Sequence, residues 1–177
     1  MKGKSPVSVL SRLFPKRADD RAPVRPLWHK IVELARERHW YADHGVADTV
    51  AGRFDAITLV LALVLLRMER EPDLIEPSVR LTELFVEDMD GQLRESGLGD
   101  LVVGKHIGKL MSVMGGRLGA VREALAGGET ALAEVMSRNV TLLQGADPAP
   151  AARAAIALAE RLARTDGADL LAARIAP

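Results

Sequence analysis

Apolar residues recur along this chain at helical spacing, segment after segment, and nowhere alternate as a half-buried strand requires. Leu27, Trp28, Ile31, Leu34 and Ala35 follow Pro26, with Glu33, Arg36, Glu37 and Arg38 opposite, and predict a helix ending around Tyr41 to Gly45. Asp48 or Thr49 can cap a second helix running to about Arg70, before Pro72. Its middle, Ala56 to Leu66, is apolar nearly all round, which marks the central helix of the fold. Within it, Gly52 and Ala56 lie one turn apart and offer another helix a close approach. A third helix opens at Pro77, carries Leu81, Leu84, Phe85 and Leu93, and stops at Gly97. A fourth spans about Gly104 to Leu125, with Gly104, Gly108, Gly115 and Gly119 on one face beside Met111. So many glycines weaken a helix, so something is expected to pack closely against that face, most simply the second helix. A fifth helix runs from about Glu129 to Gln144, and one or two weaker ones follow Pro148 and Pro150.

Composition supports an all-α domain. The chain has 177 residues, enough for one core, with 48% hydrophobic and 27% charged residues but only 3% aromatics. Leu, Val, Ile, Ala and Met must therefore fill the interior, and such a mixture favours helices. Residues 1–25 combine Pro6, Pro15 and Pro23 with a basic excess and are expected to form a flexible tail. Residues 26–177 are expected to form a single compact domain of five to seven helices. The tail segment Val7 to Phe14, followed by Lys16 and Arg17, has the pattern for peripheral contact with an anionic membrane. The run Ala56 to Leu66 falls well short of the roughly 20 residues a bilayer requires. A cytoplasmic protein able to sit peripherally at the inner membrane is the expectation.

The charge balance narrows the functional classes. Formal net charge is zero and no aromatic stacking platform stands out, so a nucleic-acid partner is not expected. Absence of cysteine excludes disulfides, thiolate metal sites and thiol nucleophiles. Asp88 and Asp90 invite a metal or hydrolase reading, but residues two apart on a helix diverge too far to hold one ion. The four histidines lack zinc spacing, and no nucleophile elbow, phosphate loop or dinucleotide fingerprint is present. No catalytic residue, cofactor or metal is therefore assigned. Asp48, Arg53 and Asp55, clustered at the start of the apolar helix, fit either a cap with local ion pairs at the edge of a core or a polar patch beside a groove for another protein.

Three blocks of sequence together resemble the ubiquinol–cytochrome c chaperone family. They are Trp40-Tyr41 with Gly45 to Asp55, then Phe85 to Asp100 running into Val103-Gly104-Lys105, and finally Gly116-Arg117 with Ala124-Leu125 and Arg138-Asn139. Order and spacing match over about residues 27–145. Ala47 stands where the family often has proline, and Met114-Gly115 where it usually has two aromatics. The resemblance implies a non-enzymatic helical chaperone that helps newly made cytochrome b enter the bc1 complex, with cytochrome b or other bc1 subunits as partners. A membrane-surface scaffold without chaperone activity is the alternative. On the chaperone reading, helices three and four and the loop Gly97–Gly99–Asp100 form the partner surface. Asp88, Asp90, Arg94, Asp100, Lys105 and Arg117 supply its polar specificity, Gly104 begins its glycine face, and Asp48 and Arg53 flank it.

Overall fold

The computed structural model describes residues 19–95 and 100–175, the side chains of 92–107 and 109 excepted. The described residues fold into seven α-helices: α1 (Arg25–Ala35), α2 (Arg38–Ala42), α3 (Val50–Met68), α4 (Ile75–Glu95), α5 (Asp100–Asn139), α6 (Ala149–Arg164) and α7 (Gly167–Leu171). Short 3-10 turns at Ala22–Val24 and Pro72–Leu74 lead into α1 and α4. The fold is all-α. Extended pairing among the described residues is confined to one antiparallel bridge, Val46 to Leu142.

α3 is the axis around which the rest is assembled. Thr49 caps it by accepting from the Gly52 amide, and every residue from Asp55 to Met68 is buried. α1, α4, α5 and α6 all pack against it. The amphipathic helices α1, α4 and α6 turn Leu27, Ile31 and Leu34, then Leu81, Leu84 and Phe85, then Ala151, Ala155, Leu158 and Leu162 toward it. Phe85 meets Trp28 edge-on at 6.1 Å and Phe54 at 6.5 Å, so the few aromatics join α1, α3 and α4 at one place. Packing starts ahead of residue 26: Val24 is buried, and Arg21 pairs with Glu87 of α4 at 2.7 Å.

Three elements depart from the sequence reading. The first predicted helix is broken at Arg36–Glu37, because the chain turns so that Trp40 and Tyr41 reach back. The Trp40 indole donates to Leu34 O at 2.9 Å, and the Tyr41 hydroxyl donates to Ala35 O at 2.7 Å. The Tyr41 hydroxyl thus satisfies a carbonyl that the end of α1 would otherwise leave open, and Trp40 adds a second donor to Leu34 O, which also accepts from Glu37 N at 3.3 Å. The fourth and fifth predicted helices form one element kinked at Gly128, whose φ of 79° only glycine adopts easily. This element ends at Asn139 rather than Gln144, since Asp55 captures the Thr141 amide and Leu143 N–H donates to Gly45 O. Finally, the close approach at Gly52 serves a loop and not a helix. A Cβ there would collide with the Ala47 carbonyl.

Candidate partner-binding surfaces

α4 uses two faces. Leu81, Leu84, Phe85 and Met89 point into the core, whereas Ile75, Val79, Thr82 and Val86 form a second stripe at the same helical spacing on the outer side. Val79 is 52% exposed. Beside this stripe, α5 turns Met114, Arg117, Val121 and Ala124 inward and leaves Met111 40% exposed. Between the two helices lies an open groove of about 700 Å³, floored by Val79, Val86 and Met111 and rimmed by Arg21, Glu83, Glu87 and Asp90.

Gly108, Gly115 and Gly119 share a helical face with Met111, the α5 residue that lines the groove. A Cβ added at Gly108, Gly115, Gly116 or Gly119 would meet nothing within 4 Å. The expectation that these glycines seat α5 against α3 is thereby corrected. α5 packs on α3 through Met114, Arg117 and Val121, and the glycine face looks outward. No described part of the chain covers it.

Arg117, expected at the partner surface, is instead 6% exposed and locked inside the fold. Its Nη2 donates to Asp55 Oδ1 at 2.9 Å and to the Asn139 carbonyl, and its Nη1 donates to Thr58 Oγ1 and, at 3.2 Å, to Asp55 O. The other oxygen of Asp55 accepts from the Thr141 amide at 2.8 Å and the Thr141 hydroxyl at 2.6 Å. This cluster ties α3, the middle of α5 and the strand-like turn after α5 into one unit. The buried cation and anion each have several partners, which offsets much of the cost of an interior ion pair, while the buried Arg117 Nε is left without a hydrogen-bond partner.

The remaining candidates divide by place. Asp48 and Arg53 are exposed and paired at 2.6 Å, and each holds the other charged: Arg53 lowers the Asp48 carboxyl and Asp48 raises the Arg53 guanidinium. They border a pocket with Arg36, Arg38 and Tyr41, at the opposite end of α3 from its junction with α4. Asp90 lines the groove with Met111, whereas exposed Asp88 faces a separate depression with Arg25, Trp28 and His29. The two carboxylates thus serve different surfaces, and among the described residues no His, Cys, Asp and Glu cluster is positioned for a metal ion. Gly97 and Gly99 lie outside the described residues, as do the side chains of Arg94, Asp100 and Lys105 and the surroundings of Gly104. Sequence reasoning missed Ile75, Val79 and Val86. Their four-residue and seven-residue spacing was the available signal, masked by the stronger core stripe on the same helix.

A family model described as ubiquinol-cytochrome C chaperone matches residues 42–176. The chain belongs to the ubiquinol–cytochrome c chaperone family. The crystal structure of the Cbp3 homolog from Brucella abortus superposes with a TM-score of 0.78 at 31% identity, covering 96% of each chain. Curated protein sequences give no match. The family match begins within α2, and the structural match reaches further, so the α1 that supports α4 is part of the shared architecture. Among the described residues of this family member, no helix is long and apolar enough to cross a membrane.

Proposed function

We propose that this member of the chaperone family binds newly made cytochrome b and holds an apolar segment of it against the α4–α5 groove until it joins the bc1 complex. The observation that carries this reading is the bare glycine face of α5 beside the exposed Val79 and Met111. Membrane-protein helices associate by close backbone approach at small residues, and a glycine wall offers that approach to an apolar helix. Methionine adapts its shape to irregular apolar surfaces, which suits a client that is not yet finally packed. The charged rim of Arg21, Glu83, Glu87 and Asp90 keeps the groove wetted when empty and limits exposed apolar area. Function here is holding and release, performed by surface complementarity without a bond-making step.

Photo-crosslinking groups placed at Val79 and Met111 test the proposal in cells making cytochrome b. Adducts containing cytochrome b at both positions, and none at Arg164 on α6, are expected. If cytochrome b crosslinks only away from α4 and α5 while bc1 assembly still depends on the protein, the groove is not the client site.

A further inference from the structure

Away from the client groove, the loop preceding α3 and the turn following α5 lie side by side. Ala47 N donates to Thr141 O at 2.9 Å, Leu143 N donates to Gly45 O at 2.8 Å, and Val46 bridges Leu142. This paired edge carries two large apolar side chains that the fold does not use. Val50 is 88% exposed and Leu143 is 53% exposed. Next to them opens a pocket of about 650 Å³ lined by Arg36, Arg38, Tyr41, Ala42, Asp48 and Arg53. The guanidinium groups of Arg36 and Arg38 have no hydrogen-bond or ion-pair partner among the described residues. Arg53 engages Asp48 through Nε alone. Tyr41 is half-buried, its hydroxyl already given to Ala35 O, and burial, followed by the Asp48 charge, raises its pKa.

From this juxtaposition we infer that the end of the domain formed by Arg36, Arg38, Arg53, Val50 and Leu143 is a docking site for an anionic lipid surface. Guanidinium groups bind phosphate oxygens in paired geometry, and three of them border the pocket against the single carboxylate of Asp48, already engaged by Arg53. Exposed Asp43 lies nearby and moderates the positive field, so the arginines alone give a weak site. The two apolar tips supply the second component that weak electrostatic attraction needs. An RNA partner would leave Val50 and Leu143 without a role, and Tyr41 is too enclosed to stack on a base. The site is separate from the α4–α5 groove, so lipid docking and client binding can be lost independently. It also differs from the basic segment before residue 19, because none of its side chains comes from that segment.

Flotation of the full chain with phosphatidylcholine vesicles, with and without phosphatidylglycerol, tests this site. Binding to the anionic vesicles only, weakened by salt, is expected. The double variant R36E/R38E should bind at least 25-fold more weakly, since each basic residue near an anionic surface is worth about fivefold and reversal exceeds removal. V50D/L143D, with substitutions at two solvent-facing positions, should also reduce binding, and this loss should persist at high salt. Unchanged melting of both variants shows that the fold is intact. Wild-type binding by both variants would overturn the assignment and place membrane contact elsewhere. Failure of the full chain to float would overturn it too, as would equal competition by inorganic phosphate or polyuridylate, which would make the pocket a soluble-anion or RNA site.

Discussion

α3 and the first half of α5 pack against each other but are stabilised on different terms. α3 is buried on all sides from Asp55 onward, so its helix is held by neighbours rather than by propensity. The first half of α5 carries glycines at 108, 115, 116 and 119, each with open space where a side chain would be. Glycine in a helix is worth roughly 0.5–1 kcal/mol less than alanine, and nothing described within the chain compensates for that loss. The same pair of helices thus shows one surface optimised for the monomer and one left weaker than it need be. The contrast teaches where to look for the client: a face that the fold neither fills nor stabilises is available to a partner.

The strongest way to break the contrast is at the point where the two helices are locked. Arg117→Ala leaves Asp55 buried without its cation and should destabilise the domain by about 3–5 kcal/mol, read as a large fall in melting temperature. Gly52→Ala comes next. Its methyl meets the Ala47 carbonyl, so the loop must move, at a cost of about 1–3 kcal/mol, measured by urea unfolding. Gly115→Ala should do the reverse: with nothing in its way, it should raise stability by about 0.5–1 kcal/mol while reducing cytochrome b crosslinking to Met111. A stabilised variant that crosslinks normally would show that the bare glycine face is not needed by the client.

A smaller effect sharpens the boundary of the folded part. Asp19 bonds Arg25 and Arg21, which hold its carboxyl well below the usual range. A carboxyl depressed in the folded state contributes stability above its unfolded pKa and loses it as pH falls, here below about 4. Asp19→Asn should therefore lower the melting temperature slightly at neutral pH and leave it unchanged at acid pH, which flattens the acid limb of melting temperature against pH. No flattening would mean that the Asp19 pairs contribute nothing in solution.

Legibility in the sequence followed the range of the interactions involved. α3 was readable because its cap, Thr49, and its apolar run are both local signals, and α4 because Pro77 and the Leu81–Leu84–Phe85 stripe are. The break between α1 and α2 was not, since it depends on Trp40 and Tyr41 reaching six residues back to carbonyls of a preceding helix. Spacing identified the glycine face as a face, but which side of α5 meets α3 is decided by Arg117 bonding Asp55 across 62 residues. That is also why Arg117 was expected outside and is found inside: a lone arginine in a helix has no periodicity to betray its partner.

Arg67 bears on how the protein comes into being. It is buried in the last turn of α3, where Nε donates to Leu162 O at 3.0 Å and Nη2 donates to Thr165 O at 2.7 Å, carbonyls at and just past the end of α6. Its remaining partner, Glu71, is only four residues away. A nascent chain halted before residue 162 therefore has its central helix complete but the cation at that helix's end answered by Glu71 alone. The native packing of α3 must wait for nearly the whole chain to leave the ribosome, so folding closes late, around a residue made early.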